Sequence, residues 1–357
     1  MVATDAAQPN GGQGAARGQV DHVIILDGTL SSLVPGHETN AGQAFHLLCR
    51  PVPGARRRVY YEPGLQWEGW RHCLDLARGR GINRQIRRAY GWLASHYRPG
   101  DRIFLLGYSR GAYAVRSLSG VIDRIGLLRH DCATERNVTL AYRHYQADPD
   151  SHAAHLFSHG HCHLEAPIEM VGVWDTVKAL GIRLPILWRF SDCEHSFHNH
   201  HLGASIRHGF HALALDETLT AFAPVLWDCP PGWEGSIVQM WFRGAHGDVG
   251  GQIGARPEAR PLANIPFVWM MERAMACGLP LPDVWQAGFP CDAGAPMVGT
   301  WRSWGKLFVA RTRRRPGRDP SEMLHPSVPL AQSAGWHAAR RVPARPDPSA
   351  AAAPSAR

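Results

Sequence analysis

Gly107-Tyr108-Ser109-Arg110-Gly111 has the pattern G-x-S-x-G. A serine on a sharp turn between a strand and a helix is pushed out over the sheet edge, where its hydroxyl can attack a carbonyl. Gly107 and Gly111 flank it because such a turn leaves no room for side chains. A serine hydroxyl needs a general base, and that base needs an acid to orient it. Asp175 follows Ser109 by 66 residues, and His246 follows Asp175 by 71. Acyl transfer also needs donors for the developing oxyanion. The N–H of Arg110, next after the nucleophile, supplies one donor. The second falls to Gly28 or Thr29, in the loop after an early strand. The bland alternative for Asp27-Gly28-Thr29 is a turn that caps that strand.

These residues need elements to hold them. His22–Leu26, Arg102–Leu106, Glu169–Trp174 and Ser236–Phe242 are short apolar runs and are read as buried strands. Ile82, Ile86, Ala89, Tyr90, Leu93 and Tyr97 recur at helical spacing, which predicts a helix over 81–97. Arg98–Asp101 is a turn; Ala112–Leu128 and Asn264–Cys277 are read as further helices. Phe210–Ala214 is also read as helical, with His211 inside it as a core or supporting histidine. Strands alternating with helices predict an α/β fold, α/β-hydrolase-like, with a mainly parallel sheet and helices on both faces of a single domain. Ser109, Asp175 and His246 all follow the C-terminal ends of strands, which line the crevice of such a sheet. Their chain order, Ser then Asp then His, is that of α/β-hydrolases.

Other residues compete for these roles. With 21 histidines in the chain, base candidates are plentiful. His325 is a weaker one. His159, His161 and His163 alternate and could share a strand face as a zinc site, but a polar loop is the favoured reading. His195, His198, His200 and His201 receive the same polar-loop reading. Asp248 is an alternative acid, a metal ligand or a loop-fixing carboxylate, the last being favoured; Asp27 joins it in support of the loops. Arg110 could also meet a substrate phosphate or carboxylate, whereas Arg116 is expected in a structural ion pair. Trp174, Trp188, Trp227 and Trp233 fit an acyl pocket or the core equally well. The chemistry asks for no metal and no cofactor.

Charge narrows the function classes. Residues 1–300 carry 27 basic and 27 acidic side chains, while 301–357 carry 11 and 3. A balanced body disfavours nucleic-acid binding, which needs a basic face on the folded domain. The excess is densest at Arg311–Arg318, a basic loop placed to meet an anionic membrane surface if lipid is the substrate. The eight cysteines form no C-x-x-C pair and are read as free thiols of a reducing compartment. No run of 18 apolar residues and no signal peptide is visible, so the chain is expected to be cytoplasmic as synthesised. Residues 1–20 and 344–357 are expected to be disordered, leaving a catalytic domain at 21–343.

The segments LDGT (26–29), INRQIRRAYGWLASHYRPGDRIFLLGYSRGAYAVRSLSG (82–120), VGVWDTVKALGI (171–182), FHALALDE (210–217), WFRGAHGDVGG (241–251) and HPSV (325–328) resemble, in order and spacing, the catalytic domain of type VI secretion phospholipase effectors. The resemblance covers roughly residues 21–345. It implies a triad falling on Ser109, Asp175 and His246 and esterase chemistry on lipids, notably phospholipids. It further implies contact-dependent export, with a secretion-system or immunity partner. Two departures stand out: no separate membrane-anchoring module is visible, and the glycine usual after HxDVGG is Gln252. The expected function is a serine hydrolase of lipid esters. The alternatives are an esterase for non-lipid esters and a non-catalytic binding module that keeps the fold.

Overall fold

Eight strands form one sheet in the order β1-β3-β2-β4-β5-β6-β7-β8. The strands are β1 (Val2–Asp5), β2 (Asp21–Leu26), β3 (Arg57–Glu62), β4 (Arg102–Tyr108), β5 (Ile168–Trp174), β6 (Ile206–Ala214), β7 (Ser236–Phe242) and β8 (Glu322–Leu324). Seven are parallel; β1 pairs antiparallel with the outer side of β3. This computed structural model describes residues 2–5, 17–64, 80–177, 202–228, 235–300 and 311–329.

Alternation along each strand sends side chains to two cores. Ile24, Leu26, Ile103 and Leu105 join one cluster, while Val23, Ile25, Phe104 and Leu106 join the other. The first is covered by α2 (Arg80–His96), α3 (Arg110–Arg124), α4 (Glu135–Ala147) and α5 (His152–His161), the second by α1 (Asn40–Leu48) and α7 (Arg260–Ala276). The short α6 (His246–Gly250) follows β7. Both faces of the central strands are therefore apolar, which is why they read as continuous hydrophobic runs. The architecture is the α/β class expected, with helices on both faces.

Several expectations are corrected. Phe210–Ala214 belongs to β6, between β5 and β7, and is not helical. A short apolar run has no periodicity that separates strand from helix, and only its place in the middle of the sheet decides. His159 and His161 lie in the last turn of α5 rather than in a loop or strand. Two residues apart on a helix they point about 200° apart, so they cannot share a face. Within the N-terminal segment expected to lack order, Val2–Asp5 forms an edge strand that uses the otherwise open edge of β3. Residues 17–20 are also tied down: Arg17 and the Val20 N–H both bond the Asp101 carboxylate. The tail at 344–357, Trp188, Trp233 and His195, His198, His200 and His201 lie outside the described residues.

Candidate active site

The turn from β4 into α3 puts Ser109 at φ 57°, ψ −119°. Asp175, just past β5, also has a positive φ of 42°. Such conformations cost a non-glycine residue on the order of 1–3 kcal/mol and persist only where the surroundings enforce them. Here the ladder does so. The Ser109 N–H donates to the Trp174 carbonyl at 3.0 Å, and the Asp175 N–H to the Ala212 carbonyl at 2.8 Å. Adjacent strands thus end at one level and turn both side chains outward. Close approach explains the flanking glycines: a Cβ on Gly111 would lie 2.1 Å from the Leu26 carbonyl oxygen, and one on Gly107 2.7 Å from the Gly111 oxygen.

His246 opens α6, and its ring joins the two. Its Nδ1 lies 2.6 Å from Asp175 Oδ2 and its Nε2 2.9 Å from Ser109 Oγ. With Nδ1–H donating to the carboxylate, Nε2 is left to accept the serine proton. The imidazole lies between two rings, Tyr108 at 5.0 Å and Phe222 at 4.7 Å between centroids. Its backbone N–H donates to Glu217 Oε2 at 3.2 Å. Ser109 is 8% exposed, His246 6% and Asp175 0%. A hydroxyl, a base and a carboxylate in series form the arrangement that activates a serine nucleophile.

The electrostatics centre on Asp175. Burial alone would raise its carboxyl, but the Arg314 guanidinium and the His246 hydrogen bond outweigh that and hold it below the usual carboxylate range. Arg314 Nη1 lies 2.5 Å from Asp175 Oδ1 and Nη2 3.0 Å from Oδ2. The Ala214 N–H adds a bond to Oδ1 at 3.0 Å. Arg314 falls in the basic run expected to face a membrane. Instead its side chain is 5% exposed. Arg311 is also turned inward, onto Thr218 and Thr300. Arg313, Arg315 and Arg318 remain exposed.

The oxyanion candidates differ in availability. Among the described residues, the Arg110 N–H, in the first turn of α3, has no protein acceptor. Gly28 abuts Ser109: a Cβ there would lie 3.3 Å from Ser109 Cβ and 2.7 Å from the Tyr108 ring. Its N–H, however, already donates to its neighbour Asp27 Oδ1 at 2.6 Å. Asp27 also accepts from Thr39 Oγ1 and Tyr61. Burial nevertheless raises its carboxyl to about 6.

Asp248 accepts from the N–H groups of Ala245, Val298 and Gly299 and so pins the loops around α6. His211 Nε2 accepts from the Thr176 N–H, next to Asp175, and burial lowers its ring to about 3, so it stands neutral behind the site. His325 stacks on Phe242 at 4.7 Å and bonds Ser327, outside the serine–histidine–aspartate chain. Arg116 has no ion pair among the described residues. It donates to the Val225 and Leu226 carbonyls and stacks on Trp227 at 4.8 Å, because α3 aims it into the core. Trp174 and Trp227 are fully buried. The described residues contain no cluster suited to a metal.

Sequence reasoning missed Arg314, Glu217 and Gln252 as parts of this site. Gln252 Nε2 donates to the Thr29 and Leu30 carbonyls, and its Oε1 lies 3.3 Å from the Tyr108 hydroxyl. It thereby ties the Thr29–Leu30 loop to Tyr108. The Asp216-Glu217 pair directly after an apolar run was the one sequence signal for Glu217. Nothing local distinguishes Arg314 from its basic neighbours.

A family model described as the catalytic domain of Tle1-like type VI secretion system phospholipase effectors matches residues 21–273. The uncharacterized protein YEL023C of Saccharomyces cerevisiae is 29% identical over 189 residues, covering 45% of this chain and 27% of the yeast protein. An uncharacterized protein from Pseudomonas aeruginosa is similar with a TM-score of 0.43 and 17% identity, over 77% of this chain and 49% of that one. The Tle1 effector bound to the VgrG spike of the type VI secretion system gives 0.38 and 16%, over 70% and 57%. The chain thus spans about a quarter of the yeast relative and roughly half of the two solved chains.

Proposed function

Because the chain belongs to the family of Tle1-like type VI secretion phospholipase effector catalytic domains, we propose that it is a serine hydrolase of lipid carboxylic esters, with phospholipids as its substrate class. The observation that carries this is the continuous chain Ser109 Oγ–His246 Nε2 (2.9 Å) and His246 Nδ1–Asp175 Oδ2 (2.6 Å). His246 takes the Ser109 proton as Oγ attacks the ester carbonyl. Asp175 fixes the imidazole tautomer and stabilises the cation that forms. The N–H groups of Arg110 and Thr29 receive the oxyanion. His246 then protonates the leaving alcohol, and a water activated by the same ring releases the acyl group. The exposed Arg313, Arg315 and Arg318 can still meet an anionic lipid surface beside the site. The family also supports export by its contact-dependent secretion machinery.

The test is covalent labelling with a fluorophosphonate probe, alongside turnover of a panel of phospholipids, neutral lipids and short-chain esters. Wild type is expected to label and to release fatty acid from phospholipid. Ser109→Ala and His246→Ala are expected to lose both, with turnover down by several orders of magnitude. Labelling that persists in Ser109→Ala would sink the mechanism. Hydrolysis of short-chain esters alone would sink the lipid assignment.

A further inference from the structure

Arg314 does more in the fold than an exposed basic residue would. Its fork spans both oxygens of Asp175, and its remaining bonds go to the carbonyls of Ala214, at the end of β6, and Phe222. The Phe222 ring is one of the two that hold the His246 imidazole. One buried guanidinium therefore touches the acid of the chain, the strand end beside it and the backbone of a residue that packs on the base. Arg314 lies beyond residue 273, where the family match ends. The segment carrying it is anchored independently: Arg311 bonds Thr218 and Thr300, and the Glu322 carboxylate accepts the N–H groups of Gly317, Arg318 and Asp319.

We propose that Arg314 is a positioning residue of the catalytic apparatus: it locks the Asp175 carboxylate and moderates how strongly that carboxylate draws a proton onto His246. The proposal rests on the serine-hydrolase reading above. Asp175 Oδ2 is shared between His246 and Arg314. With Arg314 in place, carboxylate and guanidinium together are neutral, and protonating the imidazole adds a net charge to a buried cluster. Without it, the imidazolium would face an uncompensated carboxylate and be favoured.

Among the described residues, His246 and Arg314 are the charged or titratable side chains that bond the Asp175 carboxylate. Glu217 and Asp248 spend their carboxylates on backbone N–H groups, as does Asp216 on that of Gly244. His211 is neutral, and Arg116 faces the carbonyls of Val225 and Leu226. A lysine could restore the charge but not the fork, since one ammonium cannot span two oxygens and two carbonyls in a plane.

The experiment is the rate of fluorophosphonate labelling of Ser109 from pH 4 to 9 in the 357-residue chain, for wild type, Arg314→Lys and Arg314→Gln, with melting temperatures in parallel. Labelling needs the base but no knowledge of the natural substrate. Arg314→Lys is expected to label at least tenfold more slowly with its acid limb near the wild-type position. In Arg314→Gln the acid limb is expected to move up by roughly one pH unit, as removal of a buried cation a few ångströms away implies. A folded variant with wild-type rate and limb overturns the proposal. So does a rate loss that only follows the melting temperature with the limb unmoved in Arg314→Gln. Should Arg314→Gln not fold, Arg314→Lys decides by its rate at a temperature where it is fully folded. Ser109-independent labelling of wild type removes the serine-hydrolase reading and this inference together. Normal wild-type labelling with indifferent Arg314 variants removes this inference alone.

Discussion

Gly111→Ala isolates the close approach that builds the Ser109 turn. Gly111 sits in the first turn of a helix, where alanine is intrinsically favoured over glycine by about 1 kcal/mol. The methyl would nevertheless lie 2.1 Å from the Leu26 oxygen and 2.5 Å from the Asp27 oxygen. Both are backbone atoms, so no side-chain rotation relieves the overlap, and strand and helix must part by roughly 1 Å to restore van der Waals contact. Overpacking of this kind costs about 1–3 kcal/mol, and rigid backbone puts it at the upper end. The overlap wins over propensity, for a net loss of about 2 kcal/mol. The displaced backbone leads straight into Gly28 and Thr29, so the proposed oxyanion donor moves too, and a shift of about 1 Å costs about 100-fold in rate. Gly160→Ala is the control. It lies in α5 with nothing within 4 Å of its Cβ and should stabilise by about 0.5–1 kcal/mol. Urea unfolding and fluorophosphonate labelling of both variants check the pair. A Gly111→Ala protein as stable as Gly160→Ala and labelled at the wild-type rate would refute the close-packed turn.

Asp27, raised to about 6 by burial, holds its proton in the folded state between pH 4 and 6 where the unfolded chain has released it. Its contribution to stability is therefore full below about pH 4 and is lost as pH rises through 6, on the order of 2–3 kcal/mol. Unfolding free energies at pH 4.5 and 7.5 should converge for Asp27→Asn relative to wild type; an identical pH dependence in the two proteins would contradict this. Gln252→Ala frees the Thr29–Leu30 loop and should slow labelling about tenfold or more while costing only about 1 kcal/mol in urea unfolding. An unchanged labelling rate would mean that the loop is held by something else.

Much of the site was legible because its geometry is locally encoded. A G-x-S-x-G turn needs its glycines wherever strand meets helix, and the acid and base each follow an apolar run whose end must reach the crevice. Ser109, Asp175 and His246 are brought within hydrogen-bond distance of one another by strands β4, β5 and β7 and the short α6. In the loop after β2, the side chain of Asp27 takes the Gly28 N–H, a local choice that no spacing reports. Arg116 read as one half of an ion pair because charge suggests charge. Packed beside Trp227, it satisfies itself on carbonyls instead.

What the sequence determined by itself is the set of tight turns, the continuous apolar runs that bury both faces of the sheet, and the order in which chemically able residues leave the strand ends. These follow from backbone sterics and hydrophobic period, which act over a few residues. The tertiary structure decided what depends on distant partners. Phe210–Ala214 became a central strand because β5 and β7 flank it on both sides. In the basic run, Arg313 stayed in solvent while Arg314 turned inward to a buried carboxylate 139 positions away in the chain. Neighbouring arginines are alike in sequence. What separates them is a desolvated charge waiting on the inner side, and only the folded chain brings the two together.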